Sequence, residues 1–332
     1  MKTTPEFQFE MPEGNEFVSP APFNRNAEKI EDILLDNSAQ ISHIVNDKAD
    51  KTALWNPNIL INSDFRNKVS IVNQRGFTSQ NVPNVFTYTV DMWRVNLRTI
   101  TVNDGYITLD TNGPPASAGM FSQYIENGHM FGAGVYTFSI IARNRGVEQI
   151  GSRVRDRHNN LVGYIIIPPN DEFRLYSTTF TIEPDQGISV VDLAIANVGI
   201  SSIIDIAAVK LELGSVSTLA NDPPQDYGKE LAVCQRYQWK PINNTRVRAV
   251  AVASDYLVFF LPTPQQLRII PVMTDGNVHK VMNLNGHEQT GFTFSVVNNS
   301  GNGLYIEAHK QSHGLSDGSM HVGMSNVFDA NL

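Results

Sequence analysis

Past residue 51 the chain changes texture. Val, Ile, Thr, Phe and Tyr come in short runs, separated by clusters of Asn, Gly, Pro and Asp. Runs of that length and composition suit a pleated, half-buried surface better than a helix, so this part of the chain reads as all-β. Candidate strands are residues 58–62, 94–102, 105–110, 118–124, 134–145, 161–167, 173–182, 189–197 and 202–213. Asp104-Gly105 and Asn112-Gly113 supply turn chemistry. About eight or nine strands in roughly 160 residues fold most economically as a two-sheet sandwich of jelly-roll type, with alternate residues filling the core. The pattern breaks at Asn221-Asp222-Pro223-Pro224, and residues 228–238 read as a short helix. A smaller β domain follows, with strands at 247–253, 256–261, 268–273, 280–284, 291–298 and 304–309. The polar run 298–303 is placed as a hairpin loop.

The N-terminal residues differ. Residues 1–23 carry Pro5, Pro12, Pro20 and Pro22, which cannot continue a helix, so they read as an extended arm. Its rings, Phe7, Phe9, Phe17 and Phe23, belong either to a loose terminus or to an arm docked on a neighbouring subunit. From Asn24 to about Lys51 there is no Pro or Gly, and Asn24 or Asn26 can cap a helix that has Glu28, Glu31 and Asp32 in its early turns. Ile30, Leu34, Asn37, Ile41 and Ile44 form a heptad-like stripe. It packs either on the following domain or in a parallel trimeric coiled coil, where Asn37 at a core position would fix the register. The expected organisation is therefore arm 1–23, oligomerising helix 24–54, jelly-roll sandwich 55–222, and short helix with C-terminal β head 223–332.

At 332 residues the chain exceeds one ordinary core. Its net charge of -8 disfavours polyanion binding as a whole, leaving room for a local basic patch. The single cysteine, Cys234, excludes an intrachain disulfide framework and a Cys-rich metal site; it reads as a small buried hydrophobe on the short helix. No apolar run approaches a bilayer span, and no signal core follows Met1, so synthesis in the cytoplasm without export is expected.

Several strings, in this order and spacing, resemble the non-enzymatic tail-fibre and receptor-binding proteins of tailed bacteriophages and prophages. They are Asn58-Ile59-Leu60-Ile61-Asn62-Ser63-Asp64-Phe65, Val72-Asn73-Gln74-Arg75-Gly76 and Tyr88-Thr89-Val90-Asp91-Met92-Trp93-Arg94. Then come Lys210-Leu211-Glu212-Leu213-Gly214-Ser215 and Tyr227-Gly228-Lys229-Glu230-Leu231-Ala232-Val233-Cys234-Gln235-Arg236-Tyr237. The resemblance covers roughly residues 55–240. It implies a jelly roll similar to carbohydrate-binding modules, a homotrimeric virion appendage, contact with other tail or baseplate proteins through the arm, and contact with host-surface glycan. The last 95 residues carry no recognisable head of that family; a tail-internal connector clasping neighbouring proteins stays open beside adhesion, with a glycan-degrading tail enzyme as a third reading.

No phosphate-cradling loop, Gly-x-Ser-x-Gly elbow or His-Glu-x-x-His helix is present, and Gly132-Ala133-Gly134 reads as a turn. No catalytic, cofactor or metal residue is assigned. The late histidines, His279, His287, His309, His313 and His321, lack a spacing that guarantees convergence. Hydrolysis of a glycan needs two carboxylates across one bond; Asp91, Asp171, Glu172, Glu183 and Asp185 are available but read as solvated loop or turn residues. Sugar binding asks for an exposed aromatic face with polar neighbours. Trp55, Tyr124 and Trp239 are the candidate rings, each weighed against simple packing, whereas Trp93 reads as core.

Overall fold

The computed structural model describes residues 2–3, 10–11, 26–38, 56–82, 85–96, 99–111, 119–126, 132–196, 202–242, 245–274, 280–283, 285–301, 303–315, 317–322 and 327–330. The chain forms two compact units, residues 1–55 and 56–332. In the first, β1 (Lys2–Thr3) pairs antiparallel with β2 (Glu10–Met11). Residues 26–38 form helix α1. Ile30 and Leu34 of the stripe are exposed, as is Leu35. Ile41, Ile44 and Trp55 lie outside the described residues.

The second unit begins with a β-sandwich of jelly-roll type. Its strands are β3 (Ser79–Asn81), β4 (Thr87–Tyr88), β5 (Arg94–Val95), β6 (Thr99–Val102), β7 (Ile107–Asp110), β8 (Gly119–Tyr124), β9 (Gly134–Asn144), β10 (Ile150–Arg155), β11 (Leu161–Ile167), β12 (Arg174–Ile182), β13 (Val190–Ala196) and β14 (Ile203–Leu213). They form two six-stranded antiparallel sheets, in the orders β11-β10-β13-β8-β5-β4 and β12-β9-β14-β7-β6-β3. Alternation sets the inward faces: in β11, Gly163, Ile165 and Ile167 are buried while Tyr164 and Ile166 point out. At the centre Trp93 stacks on Phe121 at 4.5 Å, with Phe65 edge-on to Trp93 at 6.1 Å. Each such ring adds about 0.5–1.5 kcal/mol beyond its area.

Three departures from the sequence reading have local causes. The expected strand 94–102 is two strands, β5 and β6, which belong to different sheets. The expected strand 58–62 is no regular strand: Asn62 takes φ 50°, and the segment runs beside β14 through single bonds such as Ile59 N–H to Leu211 O at 2.8 Å. β10 had no counterpart, because Gly151 and two arginines interrupt its apolar run. Its inward Ile150, Ser152 and Val154 nevertheless alternate with outward Gly151, Arg153 and Arg155.

After β14 the chain reaches α2 (Tyr227–Cys234), where Asp226 caps the N–H groups of Gly228 and Lys229 at 2.9 and 3.2 Å. Cys234 and Tyr237 enter the sandwich core, whereas Trp239 starts a second core with Phe259, Leu261, Ile306 and Phe328. Residues on either side of Gln238 thus serve different clusters of buried side chains within the one unit. The remaining strands are β15 (Gln238–Trp239), β16 (Thr245–Ala253), β17 (Tyr256–Pro262), β18 (Val272–Thr274), β19 (Lys280–Met282), β20 (Glu288–Gln289), β21 (Thr293–Ser300), β22 (Gly303–His309), β23 (Asp317–Val322) and β24 (Val327–Asp329). They make a three-stranded sheet, β15-β24-β18, and a seven-stranded sheet, β20-β19-β23-β16-β17-β22-β21. β21 and β22 form the hairpin expected around 298–303, closing at Ser300 opposite Gly303 with Gly301 at φ 59°.

Four of the five strings singled out in the sequence, all but residues 210–215, converge on one buried polar network. The Asn62 amide donates to the carbonyls of Val72 and Asp91 at 2.8 and 2.9 Å and accepts from Val72 N–H at 2.9 Å. Its own carbonyl accepts the Trp93 indole N–H at 2.9 Å, and its N–H donates to Glu230 of α2 at 2.8 Å. Gln74 donates from side chain and backbone to the Asp91 carboxylate and from its side chain to Gln238 O. Arg75 pairs with Asp329 at 2.7 Å. These segments thus weld the sandwich, α2 and the C-terminal sheets together, and a buried network of this kind is costly to leave half-satisfied.

Candidate functional site

The sheet β11-β10-β13-β8-β5-β4 turns one face to the core; on the other, Tyr164 is exposed, Arg153, Arg94 and Tyr88 are half-buried, and Ser122 and Asp192 are buried beneath the arginines that bond them. Antiparallel register places Tyr164 opposite Arg153, Arg153 opposite Asp192, Asp192 opposite Ser122, Ser122 opposite Arg94 and Arg94 opposite Tyr88. Directly opposed residues share a face. These six side chains therefore form one row across all six strands, about 24 Å long at the usual strand spacing.

Tyr164 is 45% exposed and lies across Gly151: a Cβ there would come within 2.6 Å of its hydroxyl oxygen. Only glycine lets the ring lie that close to the sheet. Arg153 donates from Nε to Asp192 at 2.6 Å, and Arg155 reaches the other carboxylate oxygen at 3.4 Å. At the far end, the Arg94 guanidinium carbon sits over the rings of Tyr124 and Phe86, at 3.8 and 4.2 Å from their centroids. Its Nε donates to Ser122 Oγ at 3.1 Å. The stacking fixes a long flexible side chain in place, and each such contact is worth about 0.5–1 kcal/mol at an exposed site. The face thus offers planar rings at both ends and half-buried guanidinium groups between them.

Of the rings singled out in the sequence, Tyr124 stands on this face. Trp239 does not: it is 8% exposed and stacks on Phe328 at 5.7 Å, so it serves the C-terminal core. Trp55 lies outside the described residues. Sequence reasoning missed Tyr164, Arg153, Phe86 and Arg94 as surface groups; the available signal was the period-two placement of Arg153 and Arg155 in β10.

The carboxylates considered for hydrolysis are placed elsewhere. Asp91 is not the solvated residue expected: it is fully buried, held by Gln74 and Gln238, and burial pushes its pKa up against those hydrogen bonds. Glu183 and Asp185 belong to the turn after β12. There Asp156 accepts four N–H bonds, from His158, Asn160 (backbone and side chain) and Gln186. Glu172 makes an exposed pair with Arg174 at 3.5 Å. Among the histidines, His313 uses both ring nitrogens on Ala253 O and Leu315 N–H, and His309 meets Glu307 at 2.8 Å. Among the described residues no three potential metal ligands converge.

No family model and no curated protein matches the chain. Among solved structures, it is similar to a carbohydrate-binding module described as CBM4, at 17% identity and TM-score 0.31, over 43% of this chain and 94% of that one. It is also similar to a family 29 carbohydrate-binding module complexed with cellohexaose, at 17% identity and TM-score 0.28, over 41% of this chain and 89% of that one. A third is the N-terminal cellulose-binding domain of a Cellulomonas fimi β-1,4-glucanase, at 12% identity and TM-score 0.31, over 38% of this chain and 90% of that one. Likeness at these values says nothing about what this chain binds.

Proposed function

We propose that the chain is a structural protein of a phage tail, fibre or baseplate-associated, that grips host-surface glycan without cleaving it. The observation that carries the binding reading is the row on the open sheet face: exposed Tyr164 at one end, Tyr124 and Phe86 held around Arg94 at the other, and hydrogen-bonding groups between. Rings cover the apolar faces of sugars while fixed donors read hydroxyls. The one carboxylate in the row, Asp192, is engaged by Arg153 and Arg155, which favours holding over hydrolysis, where two available carboxylates are required. The tail assignment rests on the resemblance of the strings between residues 58 and 237. The exposed Ile30 and Leu34 on α1 support self-association, with the homotrimer as the stoichiometry and the N-terminal arm contacting other tail proteins. Three weak sites held together gain effective concentration on a surface. The virion is accordingly the site of action.

The test is retention of the purified full chain on envelope fractions of bacterial hosts, competed by soluble envelope polysaccharide. Tyr124→Ala and Tyr164→Ala are each expected to weaken retention about tenfold; undiminished retention in both removes this face from the reading. A concentration-independent monomer in light scattering removes the avidity argument. A tail-internal connector is the second reading, favoured by Val250, Val252, Phe260 and Tyr305, which stand exposed on β16, β17 and β22. Failure of every envelope fraction to retain the chain would select it.

A further inference from the structure

The open face carries three guanidiniums, Arg94, Arg153 and Arg155, and one carboxylate, Asp192, on a chain whose formal net charge is -8. Positive charge is therefore concentrated where the sheet is open. Arg153 and Arg155 share Asp192. Among the described residues the Arg94 side chain has no carboxylate partner, and its one hydrogen bond there runs from Nε to Ser122 Oγ. Its terminal nitrogens meet no acceptor there, while Tyr124 and Phe86 hold the plane of the group in position.

A planar guanidinium fixed by stacking, with its terminal N–H pair unspent, matches the two oxygens of a carboxylate in a bidentate pair. We propose that the glycan held on this face is acidic, and that Arg94 takes a sugar carboxylate between the rings of Tyr124 and Phe86. This rests on the glycan-binding reading above and adds the ligand's class. A neutral sugar offers the Arg94 terminus only uncharged hydroxyl acceptors, whereas a carboxylate forms a paired, charge-assisted contact with it where the neighbouring rings exclude part of the solvent. Arg153 and Arg155 add long-range attraction, so binding weakens with salt.

The experiment uses the full chain and three carboxylate polymers: polygalacturonate, hyaluronate and polysialic acid. Each is compared with its carboxyl-reduced form, in which the carboxylate is converted to a hydroxymethyl group on the same backbone. Affinity electrophoresis or calorimetry at low and high salt gives the readout. At least one acidic polymer is expected to bind about 10- to 100-fold tighter than its reduced form. Arg94→Gln should erase that preference, and Arg94→Lys should keep the charge but lose most of the gain, with unchanged melting temperatures as the folding control. Equal, Tyr124-dependent binding of native and reduced polymers overturns the acidic class and leaves the glycan reading standing. No binding by any acidic polymer overturns the inference as well, and neutral envelope glycan then tests the broader reading alone. Equal competition by dextran sulfate, or by duplex DNA at matched charge, overturns it in favour of nonspecific polyanion binding.

Discussion

Lys210→Met tests whether the segment after β14 is held by buried charge. Lys210 and Glu212 have fully buried side chains and Asp222 is 11% exposed. The ammonium donates to Thr218 Oγ1 at 2.8 Å, pairs closely with Asp222 and lies 3.5 Å from Glu212. Glu212 in turn accepts from the N–H and hydroxyl of Thr218 at 2.8 and 2.6 Å. Methionine keeps the length of the side chain and removes its charge, leaving two carboxylates facing each other out of water. Breaking a buried pair from one side costs about 3–5 kcal/mol, which in a unit of this size lowers the melting temperature by about 6–20 °C. Urea and thermal unfolding at neutral pH provide the measurement. Adding Asp222→Asn to Lys210→Met should restore about half of the loss, because one of the stranded charges is gone. The pH response has a definite sign. Burial already pushes the Asp222 pKa up, with Lys210 pulling it down and Glu212 pushing it up. Without Lys210 it rises further. A carboxyl whose folded pKa is raised favours the fold below its unfolded pKa and loses that contribution as pH rises, so the deficit of the variant shrinks on acidification. A loss under about 1 kcal/mol, or an Asp222→Asn change that adds to the damage, would refute the reasoning.

Asp205 behaves in the opposite sense. Burial pushes its pKa up, but the bonds from Arg145, Thr108 and Arg143 outweigh that and hold it below the ordinary 3.8. Asp205→Asn should therefore cost about 2–3 kcal/mol at neutral pH, with the gap to the wild type closing as pH falls below 3.8 in urea titrations. Burial, reinforced by Asp91 and Glu230, pushes the Cys234 thiol far up; a maleimide should label it only once the sandwich unfolds, and native-state labelling would contradict its placement. Gly151→Ala should displace the Tyr164 ring from the sheet and weaken envelope retention about as much as Tyr164→Ala does, with little change in melting temperature if the ring simply swings outward. Trp93→Ala should cost about 3–5 kcal/mol in urea unfolding, since it empties the centre of the core and strands Asn62 O.

Much of this architecture was legible because it is local. Alternation in β7 and β11 and turn glycines such as Gly105 at φ 92° each act over a few residues. The strings around Asn62, Asp91 and Glu230 were legible as strings, but not as one network, since only the fold brings Asn62 to Glu230. Trp239 and Tyr124 look alike in sequence, as aromatic residues beside polar ones. Whether such a ring meets another sheet or the solvent depends on packing that no local pattern records.

By itself the sequence determined that residues past 51 would alternate into strands, where many of the turns fall, and that a helix would precede them. Tertiary structure alone decided the row across the open sheet. Tyr88, Arg94, Ser122, Arg153, Tyr164 and Asp192 come from six strands, and long-range antiparallel register brings them into line. The physical reason is the two-residue period of a strand: a slip of one residue in any strand would turn its member of the row into the core, and the burial of the opposite face forbids that slip.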